Sequence, residues 1–168
     1  MATRNLTHGT LKIIDGTTPT PNSLTVPIAD GDLTFEEKKQ ANVIKNRGVL
    51  KEFSQGEEEA VPVSWTITFE RWEAKPAGTP SVVDILKGRG GAAAYKTTNP
   101  NKINSPYTTT LEFTIADVEG TGGGYNEVLT FTLFSADALS FSEGKEKNTV
   151  KVSGMALVTK PTITSAAS

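Results

Sequence analysis

The chain has 168 residues, 36% hydrophobic and 21% charged, with a formal net charge of −2 and no cysteine. That length makes one domain with a sizeable core, and the missing cysteine excludes a disulfide framework, a thiolate zinc site and a cysteine nucleophile. The nearly balanced charge leaves no electrostatic footprint for tight nucleic-acid binding, and no apolar run approaches a membrane span.

Hydroxyls take the place of charge: there are 24 threonines. Threonine is β-branched and suits a half-buried pleated surface. With 15 glycines and 9 prolines as punctuation, the composition predicts a mainly β protein, an antiparallel sandwich or barrel. The stretch Met1 to Lys12 is polar and lacks a signal-peptide core, which predicts a protein that begins in a cytoplasm. Asn5-Leu6-Thr7 matches a glycosylation sequon but carries little weight in that setting.

Thr10 to Ile14 reads as a short strand, and Thr17 to Asn22 as a turn-rich link with two prolines. Leu24 to Ile28 reads as a strand whose Pro27 marks an edge or a bulge. Leu33 to Lys39 and Val43 to Phe53 suggest a long hairpin, with either Gln40-Ala41-Asn42 or Asn46-Arg47-Gly48 as its turn. From Glu36 to Arg47 the chain is polar on both faces, so it is either solvated or ordered by another subunit.

Val61 to Phe69 alternates cleanly: Val61, Val63, Trp65, Ile67 and Phe69 against Pro62, Ser64, Thr66 and Thr68. This is a strand with one buried and one polar face. One helix follows at Pro80 to Lys87, opened by Thr79-Pro80-Ser81, with Ser81 and Asp84 as a capping box and Gly88 as an αL stop. Residues 88–106 read as loop. Tyr107 to Ile115 sets Leu111, Phe113 and Ile115 against Thr108, Thr110, Glu112 and Thr114. Val128 to Phe134 sets Leu129, Phe131 and Leu133 against Thr130 and Thr132. The intervening Asp117 to Asn126, with its glycines from Gly120, is a hairpin tip. Leu139 to Ser142 and Thr149 to Val158 flank a charged turn, Glu143 to Asn148, and residues 159–168 form a flexible, extended tail.

Chemistry is sparse. His8 is the only histidine, so no His-based metal site has its second ligand, and no Gly-x-Ser-x-Gly elbow occurs. The Gly88-Arg89-Gly90-Gly91 and Gly120 to Gly124 runs lack the Gly-Lys-Ser/Thr continuation of a phosphate loop. Glu57-Glu58-Glu59 has no spacing for calcium or acid–base work. The basic stretch Lys38, Lys39, Lys45 and Arg47 has no interleaved aromatics for a nucleic-acid arm. An ion-pair contact between that stretch, next to Glu36, and Glu57 to Glu59 of a neighbouring copy accounts for both features. Reversal of Lys38 and Lys39 to Glu is then expected to weaken self-assembly. These observations imply no cofactor, no metal and no enzyme.

The element order is a long polar hairpin, a strong strand, one short helix midway, then two hairpins ending in Lys151-Val152-Ser153-Gly154. This order resembles the major tail tube proteins of long-tailed bacteriophages and the related tube proteins of contractile tails and type VI secretion systems. The resemblance covers residues 10 to 158 and rests on pattern, without a sharp motif. It implies a virion tail protein made in the host cytoplasm, forming hexameric rings that stack into a tube, beside other tail proteins. It implies that genomic DNA passes through the lumen without specific binding. It also implies channel-facing strands near Leu24–Gln40, Val43–Phe53, Tyr107–Ile115 and Val128–Phe134. Their lumen-facing residues would be Thr108, Thr110, Glu112, Thr114, Thr130 and Thr132. Hydroxyls suit a sliding surface, where lysines would hold each phosphate. The same threonines also fit the wet side of any antiparallel sandwich. A capsid decoration or tail-terminator protein and a non-catalytic ligand-binding sandwich are the other classes consistent with the sequence. The dispersal of Trp72, Tyr95, Tyr107 and Tyr125 counts against the last.

Overall fold

Period-two patterning becomes one large antiparallel sheet and a separate two-stranded ribbon. A computed structural model of the chain describes residues 9–27, 33–69, 81–88, 95–99, 106–116, 125–144 and 148–167. Its strands are β1 (Thr10–Ile14), β2 (Ser23–Pro27), β3 (Thr34–Phe35), β4 (Lys39–Asn46), β5 (Val49–Glu58) and β6 (Val61–Phe69). After the helix α1 (Val82–Lys87) come β7 (Thr109–Ile115), β8 (Tyr125–Glu143), β9 (Asn148–Ala156) and β10 (Thr162–Ala167). The main sheet runs β2-β1-β7-β8-β9-β6-β3, with β10 also on β8; β4 and β5 form a separate pair. The protein is thus mainly β, antiparallel and sandwich- or barrel-like, as the composition predicts.

The sheet curls on itself, because β2 at one end contacts β6 near the other. Its concave face holds the core: Leu11 and Ile13, Val61, Val63 and Trp65, Leu111 and Phe113, Phe131 and Phe134, and Val150 and Val152. Apart from the step from Phe131 to Phe134, these are the alternate residues of their strands, so the register is fixed by burial. The Trp65 ring stands edge-on to Phe113 and tilted against Phe134, with centroids 5.7 and 5.0 Å apart. Phe35 of the two-residue β3 reaches across to Phe131 at 5.3 Å.

The helix forms as the sequence dictates. Ser81 Oγ accepts a hydrogen bond from the Asp84 amide at 3.2 Å, and Gly88 closes the C-terminus in the αL conformation at φ 60°. Six residues cannot sustain a helix alone. Burial of Ile85 and Leu86 holds this one. Lys87 Nζ donates to the Ala136 carbonyl at 2.8 Å, tying the helix to β8.

Four details differ from the sequence expectation. First, Leu33 to Lys39 does not join the long hairpin: Thr34 and Phe35 pair with Ser64 and Val63 of β6, and the hairpin starts at Lys39. Second, Leu133 is not a core residue in step with Leu129 and Phe131. Between the pairs Leu111–Phe131 and Thr109–Phe134, β8 carries one residue more than β7, and Leu133 absorbs it at φ 53°. This bulge turns Phe134 into the core instead. Third, the tail is not free: Thr162–Ala167 pairs with Tyr125 to Thr130 along β8. Fourth, Thr108 is fully buried.

Gly154 answers the bulge. A Cβ there would lie 2.1 Å from the Ser135 carbonyl oxygen and 2.7 Å from Phe134 Cζ. The Phe134 ring therefore occupies the place of a side chain in the β9 core row. Gly154→Ala is expected to destabilise the fold by about 1–3 kcal/mol through overpacking. A lowered denaturant midpoint at unchanged slope would show it, and an unaltered midpoint would refute the packing argument.

Candidate assembly surface

The long hairpin is built by its turn. Asn46 pairs with Val49, so Arg47-Gly48 is a two-residue connection, and both residues have positive φ, 52° and 81°. That is the type I′ geometry, whose twist matches paired strands. Of the two turns the sequence allows, the structure takes Asn46-Arg47-Gly48. Glycine accepts this backbone without strain; Arg47 is the less usual occupant.

At the root, the Glu59 amide donates to the Lys38 carbonyl at 3.2 Å, and Lys39 stands opposite Glu58 in register. The Gln40 side-chain amide donates to the Glu59 carboxylate. Lys38 Nζ lies 3.5 Å from a Glu36 carboxylate oxygen. The candidate residues Glu36, Lys38, Lys39, Glu58 and Glu59 are thus gathered at the root, with Glu57 on the adjoining end of β5. Lys45 and Arg47 are at the tip, with Lys51 beside them, a residue the sequence reading passed over.

Every residue of β4 is exposed. Val43 and Ile44 are 47% and 44% exposed, Val49 and Leu50 70% and 51%. Adjacent strand residues point to opposite faces, so the ribbon shows apolar groups on both sides. A lone two-stranded ribbon is marginal in water, and among the described residues this one has no third strand.

The second surface is the convex face of β1, β7 and β8. Thr110, Glu112 and Thr114 alternate with the buried Leu111 and Phe113, and Thr130 stands opposite Glu112. Thr132 is exposed next to the bulge. Lys12 Nζ lies 4.0 Å from Glu112 Oε2, which offsets that carboxylate. The result is a nearly neutral, hydroxyl-rich sheet face. Thr108 does not belong to it. Its hydroxyl contacts the Thr97 and Thr98 hydroxyls at 3.0 and 2.8 Å, and its amide donates to Thr97 Oγ1. The loop at 95–99 covers what strand parity alone would leave open.

That loop is held by Asp15, a buried carboxylate that the sequence does not flag. Asp15 accepts from the amides of Thr17 (3.1 Å), Asn22 (2.7 Å) and Lys96 (3.0 Å), from the Asn22 side chain (3.1 Å) and from the Thr17 hydroxyl. Burial pushes its pKa upward, but these donors together outweigh burial and hold it below the ordinary carboxylate value. Burial, then the Asp15 charge, pushes the nearby Tyr107 phenol up to about 12. The cluster staples three chain segments together.

His8, the Asn5-Leu6-Thr7 sequon, Trp72 and the glycine runs at 89–91 and 120–124 lie outside the described residues. Among the described residues, no helix is long and apolar enough to cross a membrane, and no group of three or more His, Cys, Asp or Glu is placed to hold a metal ion.

No family model matches the chain, and no curated protein matches it. Solved structures do. One is a chain of the sheath–tube complex of PVC, an extracellular contractile injection system, in its extended state. It is 7% identical over 94% of this chain and 88% of that one, with a TM-score of 0.48. Another comes from the sheath/tube terminator of the same system, 10% identical over 94% and 93%, TM-score 0.49. A third comes from the tube-terminating cap of the anti-feeding prophage, 12% identical over 92% and 88%, TM-score 0.47.

Proposed function

We propose that this chain is a non-catalytic structural subunit that polymerises. In this reading six copies form a ring, and rings stack into the tube of a bacteriophage tail, put together in the host cytoplasm with other tail proteins. The observation that carries the reading is the β4–β5 ribbon. It exposes apolar side chains on both faces, and among the described residues no other strand pairs with it. Such a ribbon is a liability in a monomer and an asset in an assembly whose neighbours cover it.

The convex face supplies the channel in the same reading. Thr110, Glu112, Thr114, Thr130 and Thr132 line the lumen, and the Lys12–Glu112 pair keeps that wall close to neutral. DNA slides past hydroxyls that neither repel nor trap its phosphates. The subunit needs no cofactor for this work.

Negative-stain microscopy of the concentrated, purified protein tests the proposal. Rings or tubes of uniform diameter are expected, alone or seeded by tail-tip components. A chain that remains monomeric even with those components would overturn it.

A further inference from the structure

The tip of the hairpin departs from the rest of the molecule in both charge and polarity. Lys45, Arg47 and Lys51 stand there against one carboxylate, Glu52, in a chain whose formal net charge is −2. Of the ten exposed large hydrophobic residues among the described ones, four fall within residues 43–50: Val43, Ile44, Val49 and Leu50. Register partners share a face of the ribbon. Val43, Lys45 and Leu50 therefore lie on one side, while Glu52 stands opposite Ile44 on the other. The ion pairs seen among the described residues, Lys12 with Glu112 and Lys38 with Glu36, do not involve the tip cations.

Distance isolates this tip from the acidic root. At about 3.3 Å per residue, the rise from Lys39 to Lys45 is about 20 Å. That exceeds twice the Debye length of about 8 Å at physiological ionic strength. The root carboxylates therefore neither neutralise the tip nor repel an anionic surface that the tip touches. Exposed apolar groups among cations call for a partner that sets an apolar layer beneath a layer of negative charge. Duplex nucleic acid offers phosphates but leaves Val49 and Leu50 in water. A bilayer with anionic headgroups offers both layers in that order. The apolar groups enter the boundary between headgroups and acyl chains, and the long lysine and arginine stems keep their charges at the phosphates.

We propose that the tip of the β4–β5 ribbon, residues 43–52, is a docking element for anionic lipid bilayer surfaces. It acts wherever no neighbouring copy covers the ribbon, and it does not depend on the polymerising reading. The docking is peripheral: the tip dips in while the body of the molecule stays in water. Binding is therefore reversible and weakened by salt.

Vesicle flotation tests this, because protein polymers sink while vesicles rise. Wild type should float with phosphatidylcholine–phosphatidylglycerol vesicles, stay below with phosphatidylcholine alone, and be released by high salt. Lys45→Glu with Lys51→Glu should weaken binding at least about tenfold. Val49→Ser with Leu50→Ser should do the same, and Glu58→Gln at the root should change little. These positions are exposed, so each variant should melt within a few degrees of wild type. The chain has no cysteine, so Val49→Cys and Lys39→Cys each accept a single environment-sensitive dye. The dye at position 49 should brighten and shift to the blue on anionic vesicles, and the dye at position 39 should not. Failure of wild type to float with anionic vesicles overturns the proposal, including the case in which a second copy already covers the tip. So does binding indifferent to Val49→Ser with Leu50→Ser and matched by duplex DNA, which would make the tip a phosphate binder.

Discussion

Replacement of Lys39–Glu58 by a short glycine–serine link should yield a folded monomer that no longer assembles. The excision is geometrically mild. Glu59 N and Lys38 O already meet at 3.2 Å across the root, so a few residues close the gap. β4 and β5 form a sheet of their own, and the described core residues lie in the other elements. A shorter loop also costs slightly less closure entropy. The melting temperature should therefore stay within about 4 °C of wild type, the shift that about 1–2 kcal/mol produces at this size. Assembly should be abolished at every accessible concentration, because the exposed apolar groups and the tip cations leave together. Sedimentation velocity and circular dichroism read the two halves of this expectation. A shortened chain that still polymerises would remove the hairpin from the mechanism. One that unfolds would show the ribbon to be part of the fold.

Asp15→Ala should cost about 3–4 kcal/mol of stability. The substitution strips the acceptor from the amides of Thr17, Asn22 and Lys96 at once, in a place where Asp15 itself is 3% exposed. Unsatisfied buried donors cost about 1–3 kcal/mol each, and bonds to a charged acceptor are the stronger kind. The loop at 95–99 should loosen first, since Lys96 N is one of its ties, alongside Gly16 N to Lys96 O. At about 2–4 °C per kcal/mol, the melting temperature should drop by roughly 6–16 °C.

The pH dependence gives the same result a signature. The folded-state pKa of Asp15 lies below its unfolded value. Its contribution is therefore present in full above the unfolded carboxylate range, near 3.9, and is lost as pH falls through the lowered folded value. The gap in melting temperature between wild type and Asp15→Ala should be constant from neutral pH down to about 5, and narrow below about 4. A gap independent of pH down to strongly acidic conditions would mean that the charge of Asp15 plays no part.

The threonine-rich, charge-poor composition by itself determined the strand faces. Period two is a local property, so the rows Val61-Val63-Trp65 and Leu111-Phe113 were legible without a partner strand. The helix was legible for the same reason: Ser81 caps its first turn and Gly88 its last within a few residues. The charged groups of the hairpin were legible as residues but not as an arrangement. Only pairing shows that Lys38 and Lys39 sit at the root while Lys45 and Lys51 sit at the tip.

What the tertiary structure alone decided depends on contacts far apart in the chain. The sequence allowed two turns, and the choice of Arg47-Gly48 follows from the β4–β5 register. The bulge at Leu133 follows from the match between β7 and β8 and from the space above Gly154, some 20 residues later. Thr108 reads as a wet threonine by parity, yet a loop pinned through Asp15 covers it. The tail becomes a strand because β8 extends past the end of β9 and leaves an edge to fill. Side-chain alternation is written into each segment. Which edge a strand finds, and which loop lies over a face, are set by the closure of the whole sheet.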